Sequence, residues 1–229
     1  MQEACCMYGE IGEEMNTEEK FREADWPGGH FDPLSGRLIG IKTHAKHHLE
    51  LASSIIFIIR NPYDTFKSEF NRKRGHVLPG ENAHTKVVDP RMFAGDAWRR
   101  NVAKFSSQWN GFYETLIKEA KEAEKNYYLL FYENLKIDLV GEARKIYDFL
   151  QKDALKSGEV FTVENIEDRL KCIGEEDFSK FKRKHQELSF ELYTDDEKLK
   201  INQKINNITE FFRENNIDYP KDIVSRWLQ

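Results

Sequence analysis

An α/β fold, a parallel sheet flanked by helices, is predicted by three features of this 229-residue chain. The run from Ser54 to Ile59 is β-branched, apolar and bounded by polar residues, which is the pattern of a strand inside a parallel sheet. Two further apolar runs, Leu38 to Thr43 and Tyr127 to Phe131, read as strands, and amphipathic helical stretches lie between and after them. Strands alternating with helices give a parallel sheet whose ligands sit where strand C-terminal ends feed helix N-termini. With 16 Phe against 13 Gly and 6 Pro, the composition supports a real core and excludes disordered and fibrous classes.

The elements follow in order. Residues 1–36 form an irregular N-terminal segment in this reading, with Trp26-Pro27-Gly28-Gly29 and Asp32-Pro33-Leu34-Ser35-Gly36 as consecutive turns; residues 37–229 form the domain. After the Ser54–Ile59 strand, Asn61 caps a helix with Pro62 at its first position and Asp64 three residues beyond the cap. The stretch from Gly75 to Phe93 reads as a long loop. From Asp96 onward Trp98, Val102, Phe105, Trp109, Phe112, Leu116 and Ala120 recur at helical spacing, forming one apolar stripe that packs as core. Further helices are predicted from about Leu139 to Gln151, from Thr162 to Cys172, and from Thr194, where Thr-Asp-Asp-Glu forms a capping box, to about Glu214.

A net charge of −5 argues against a general nucleic-acid binder, which needs a basic surface to neutralise phosphates. Two basic clusters remain, Lys67 with Arg72, Lys73 and Arg74, and Lys180 with Lys182, Arg183 and Lys184; each also reads as a solvated helix face. Three cysteines, Cys5, Cys6 and Cys172, make neither a disulfide framework nor a zinc pattern. His44, His47 and His48 place two imidazoles on one helix face if that stretch is helical, but no further ligand set accompanies them, and no metal is expected. No apolar run reaches membrane-spanning length and the acidic start lacks a signal-peptide core, so the chain shows no membrane segment and no address. Asn207-Ile208-Thr209 would accept an N-linked glycan in a secretory compartment.

The most informative stretch is Ile55-Ile56-Phe57-Ile58-Ile59-Arg60-Asn61-Pro62-Tyr63-Asp64-Thr65-Phe66-Lys67-Ser68, a buried strand turning directly into a capped helix. Arg60 leaves the strand end as a bidentate donor, the first helical turn offers N–H groups, and Ser68 lies two turns along, an arrangement suited to a phosphate. The same residues also fit a structural pair between Arg60 and Asp64 with Ser68 exposed on the helix.

This stretch resembles the 3'-phosphate-binding motif of the sulfotransferases that use PAPS, in which an Arg-Asn-Pro strand end and a Ser eight residues later grip the donor's 3'-phosphate; here these are Arg60 and Ser68. The similarity runs from about Arg37 to Tyr219 and is closest to the Golgi WSC-domain sulfotransferases, through Arg60-Asn61-Pro62-Tyr63 and Glu69-Phe70-Asn71-Arg72-Lys73. Ile41-Lys42-Thr43-His44 is similar to the family's Lys-Thr-His. The resemblance implies His44 as general base on an acceptor hydroxyl and Lys42 as partner of the sulfuryl oxygens. Leu130-Phe131-Tyr132-Glu133-Asn134-Leu135-Lys136 resembles the family's Tyr-Glu-Asp-Leu-Lys, implying that Tyr132 contacts the adenine. Phe181-Lys182-Arg183-Lys184 looks like the segment that closes over the 3'-phosphate, implying Arg183 and Lys184 as ligands, although His185 stands where the family has Gly.

The resemblance thus implies a P-loop-like sulfotransferase fold, PAPS as donor, 3'-phosphoadenosine 5'-phosphate as product, a hydroxyl-bearing acceptor such as a glycan, and the Golgi lumen, whereas the chain by itself reads equally as cytoplasmic. The family's strand, phosphosulfate loop and helix normally precede the Lys-Thr-His strand, and no such pattern is read in Met1 to Ile41. Gly36-Arg37-Leu38-Ile39-Gly40-Ile41-Lys42-Thr43 is no substitute, since it lacks an adjacent Gly-Lys and lies in a strand. The fold is therefore expected to be incomplete at its N-terminus, poorly active without that loop, and open to association through unsatisfied sheet edges. A non-catalytic module that binds 3'-phosphoadenosine or a protein is the alternative reading.

Overall fold

The computed structural model describes residues 8–11, 40–43, 52–75, 87–157, 165–175, 188 and 190–229. It is a helix-rich α/β fold. In chain order the described residues form strands β1 (Tyr8–Ile11), β2 (Gly40–Thr43) and β3 (Ser54–Ile59), helix α1 (Pro62–Arg74), a 3-10 turn at Pro90–Ala94, helix α2 (Asp96–Glu122), strand β4 (Asn126–Phe131), and helices α3 (Tyr132–Ile137), α4 (Leu139–Ser157), α5 (Ile166–Glu175), α6 (Asp195–Glu214) and α7 (Lys221–Ser225). The contacts gather the chain into two compact units, one of Met1–Ile55, Ala120–Tyr127 and Ala143–Glu175, the other of Ile56–Glu119, Tyr128–Glu142 and Glu176–Gln229.

In the first unit β1 and β2 pair in parallel, with Tyr8 opposite Gly40 and Glu10 opposite Lys42. A strand at Tyr8–Ile11 corrects the expectation of an irregular start and of no strand ahead of Lys42. The sequence Tyr-Gly-Glu-Ile has too little alternation to announce a strand, and the pairing with β2 supplies its backbone partners. The first residues of β3 and β4 share one anchor: Ser54 Oγ and Asn126 Nδ2 both donate to the buried carboxylate of Asp153 on α4.

β3 pairs with β4. Their first residues meet at Asp153 and the residues after their last ones meet as well, Arg60 lying against Tyr132, so the two strands run in the same direction. The β3 run is not buried on both faces. Ile55, Phe57 and Ile59 are buried while Ile58 is 55% exposed, the alternation of a strand with one covered face.

The core of the second unit is aromatic. On α1 and α2, Phe70 and Trp98 approach edge to face at 5.2 Å, and Phe93 from the 3-10 turn lies 5.0 Å from Trp98. Trp98 Nε1 donates to Leu192 O at 2.9 Å, so the indole is buried without an orphaned donor. The predicted α2 stripe holds at Trp98, Val102, Trp109, Leu116 and Ala120, but Phe112 is exposed and Ile117 is buried instead. In helical projection Phe112 lies on the margin of the stripe away from Ile117, and the buried face is turned toward the latter. α6 opens with the predicted capping box, Thr194 and Glu197 exchanging both bonds, and buries Ile201, Ile205, Ile208, Phe211 and Phe212. Tyr193 Oη donates to Tyr63 O at 2.6 Å, and Tyr63 Oη lies 2.8 Å from Asn202 Oδ1, which locks the start of α1 to α6.

Candidate anion-binding site

The site grows from the two strand ends. β3 finishes at Ile59, and Asn61 at φ −42° turns the chain into α1 while its Oδ1 accepts the Tyr63 N–H at 3.0 Å; Pro62 occupies the first helical position. Cap and proline act as the sequence predicts. Asp64 does not. In a closed box its carboxylate would reach back to the Asn61 N–H, but that amide donates instead to Glu133 Oε1 at 3.0 Å, from a residue 72 positions away at the end of β4.

Asp64 turns toward Arg60, at 3.8 Å between Oδ2 and Nη2, and half of its side chain remains in solvent. A pair at that distance and exposure contributes little, so it does not account for Arg60. The stronger contact is aromatic: the Arg60 guanidinium carbon lies 4.6 Å from the centre of the Tyr132 ring. Lys136, one turn further along α3, brings its ammonium to 5.2 Å from the same ring. Two cations therefore gather about one tyrosine at the joined C-terminal ends of β3 and β4.

Two polar atoms here are buried without a partner among the described residues, the donor Arg60 Nε and the acceptor Glu133 Oε2. Leaving such an atom unsatisfied costs about 1 to 3 kcal/mol and more when the group is charged, which identifies a place where an acceptor is wanted beside Arg60. The Tyr113 hydroxyl donates to Ile58 O at 3.1 Å, two residues before Arg60. Burial pushes its ionisation well above the usual tyrosine range, and the charge of Glu133 adds to that, so Tyr113 stays neutral.

The expectation of free helix N–H groups needs correction. Pro62 has none, Tyr63 N is taken by Asn61 Oδ1 and Asn61 N by Glu133. Two of the junction's amides are thus taken, and the charged side chains beside it are those of Arg60, Asp64 and Glu133. Ser68 lies half-buried on α1, one turn beyond Asp64, while Arg60 stands ahead of the helix before its cap. Beyond Ser68 two members of the basic cluster share one carboxylate. Arg72 makes two bonds of 2.7 Å to Glu69, and Lys73 lies 3.1 Å from the same carboxylate. Burial alone would raise the Glu69 carboxyl, but these cations outweigh it and hold it below its ordinary value.

Of the other predicted residues, Lys42 falls in β2 opposite Glu10. His44, Arg183 and Lys184 lie outside the described residues, as do His47, His48 and most of Gly75 to Phe93. Among the described residues no group of His, Cys, Asp and Glu is arranged to hold a metal ion, and no helix is long and apolar enough to cross a membrane. Sequence reasoning did not single out Glu133, Lys136 or Tyr113. Glu133 carried a usable signal, an acidic residue in the first turn after a strand; Tyr113 carried none, since it sits inside a core helix.

A family model for the sulfotransferase domain matches residues 34–214. The match takes in β2 to α6 and every residue of the site. No solved structure matches the chain.

Proposed function

Because the chain belongs to the sulfotransferase domain family, whose chemistry is sulfuryl transfer to a hydroxyl-bearing acceptor, we propose that it uses PAPS as donor and grips the donor's 3'-phosphate with Arg60 and Ser68. The observation that carries this reading is the buried Arg60 Nε without an acceptor at the end of β3. A phosphate oxygen supplies that acceptor, and a charge-assisted bond of this kind contributes about 1.5 to 3 kcal/mol. Since the guanidinium lies over the Tyr132 ring, the tyrosine steadies Arg60, and the half-buried Tyr132 is proposed to contact the adenine as well. Arg183 and Lys184 are proposed as the second arm on the same phosphate.

When bound, PAPS brings an activated sulfuryl group. The chain's own part in the transfer is proposed as follows: His44 takes the proton of the acceptor hydroxyl, a task suited to an imidazole near its ordinary pKa, and Lys42 offsets charge on the sulfuryl oxygens. The acceptor is proposed to be a glycan hydroxyl and the compartment the Golgi lumen, on the likeness of Arg60-Asn61-Pro62-Tyr63 and Glu69-Phe70-Asn71-Arg72-Lys73 to the WSC-domain sulfotransferases.

The test is calorimetry with 3'-phosphoadenosine 5'-phosphate and with adenosine 5'-phosphate. Tighter binding of the first is expected, by about tenfold or more for one charge-assisted contact. Equal affinities would remove Arg60 and Ser68 as phosphate ligands.

A further inference from the structure

Resting on the donor reading above, we infer that Glu133 is a positioning residue: its carboxylate ties the β4–α3 junction to the β3–α1 junction and so fixes where Arg60 meets the donor's phosphate. Three observations converge on it. Glu133 Oε1 accepts the Asn61 N–H at 3.0 Å, at the residue that follows Arg60 and starts α1. Its neighbour Tyr132 carries the Arg60 guanidinium at 4.6 Å, so the backbone and the side chain of the Arg60–Asn61 step are both held from the first two residues of α3, directly after β4. Tyr113, within reach of the Glu133 charge, fixes the carbonyl of Ile58 at 3.1 Å, two residues before Arg60.

The arrangement has a chemical consequence. Asn61 N is one of the amides that a helix N-terminus would otherwise present to an anion, and Glu133 occupies it. A phosphate therefore meets one backbone donor fewer beside the side chain of Arg60, whose Nε has no partner among the described residues. Glu133 Oε1 pairs with a neutral amide, so the carboxylate set against the Arg60 guanidinium is the half-exposed Asp64 at 3.8 Å and not Glu133. A structural carboxylate bonded directly to Arg60 would instead compete with the ligand.

The test separates positioning from stability by reading the preference for the 3'-phosphate, the ratio of affinities for 3'-phosphoadenosine 5'-phosphate and adenosine 5'-phosphate, in Glu133→Gln, Glu133→Asp and Glu133→Ala. Gln keeps a carbonyl oxygen at the Oε1 position, and its preference is expected within about threefold of the parent's. Asp keeps the charge but is one methylene short of Asn61, and Ala lacks both; each is expected to lose about tenfold of the preference while binding adenosine 5'-phosphate as before. Should Ala fail to fold, Asp carries the same test, with circular dichroism and the melting temperature followed alongside. Equal loss for both ligands, or an unchanged preference in Asp and Ala, overturns the inference. Loss in Gln equal to that in Ala also overturns it, because charge and not the bond to Asn61 would then matter. A parent protein without preference overturns the donor reading itself, and this inference with it.

Discussion

Arg60→Ala isolates the group on which the proposed donor site depends, and its effects on stability and on binding are expected to separate. The change removes a guanidinium whose Nε is buried without a partner, relieving a cost of about 1 to 3 kcal/mol. Against this stand the contact with the Tyr132 ring at 4.6 Å, worth about 0.5 to 1 kcal/mol at a partly exposed site, and the 3.8 Å pair with Asp64, worth about 0 to 1 kcal/mol. These terms nearly cancel, so the melting temperature should move by no more than a few degrees, since about 1 kcal/mol shifts a domain of this size by about 2 to 4 °C. Binding has no such compensation. Loss of one charge-assisted contact should weaken 3'-phosphoadenosine 5'-phosphate by about ten- to a hundredfold while leaving adenosine 5'-phosphate unchanged. Arg60→Lys should fall between, keeping charge but losing the planar fork. Calorimetry with both ligands, beside thermal unfolding, reads the two effects. A variant that loses stability by several kcal/mol, or weakens both ligands alike, would show that Arg60 is a structural residue and refute the reasoning.

Four other outcomes are expected. His44→Ala should abolish labelled sulfate transfer from PAPS to hydroxyl acceptors while donor affinity stays within about twofold; transfer that persists would remove His44 as base. Thr194→Ala should cost about 1 kcal/mol, read as a lower unfolding midpoint, because it breaks the capping box that starts α6. Burial pushes the Tyr63 hydroxyl up to about 12, above its ordinary 10. A folded value raised above the unfolded one stabilises fully below the unfolded value and is lost as pH rises, so stability should fall between about pH 10 and 12, with Tyr63→Phe reducing that slope; an unchanged slope would refute the assignment. Asp64→Asn should tighten 3'-phosphoadenosine 5'-phosphate modestly, by about two- to fivefold, by removing a carboxylate 3.8 Å from Arg60, and looser binding would show that the pair orients the arginine.

The parts of the fold legible from sequence are those set by short-range rules. Ser54–Ile59 is a strand with its predicted bounds, α1 starts on Asn61 and Pro62, and α6 starts on its Thr194–Glu197 box, because each signal lies within a few residues and acts through the local backbone. The α/β class followed from the order of such segments, and the family from the Arg60-to-Ser68 stretch and its companions. Pairing is a different matter. Tyr8–Ile11 becomes a strand through β2, and nothing in its own four residues demands it. Which face of β3 is covered, and that Phe112 is exposed while Ile117 is buried on α2, depend on what packs alongside.

At the site the division is the same. The strand end before Arg60 and the capped helix that carries Ser68 were legible in advance because both are local patterns. That Asp64 would leave its box open, that Glu133 would take the Asn61 amide from 72 residues away, and that Arg60 would rest on the ring of Tyr132 were decided only in three dimensions. A carboxylate at the third helical position and one brought from another strand offer the same amide equally good chemistry, and only their distance in the folded chain chooses between them.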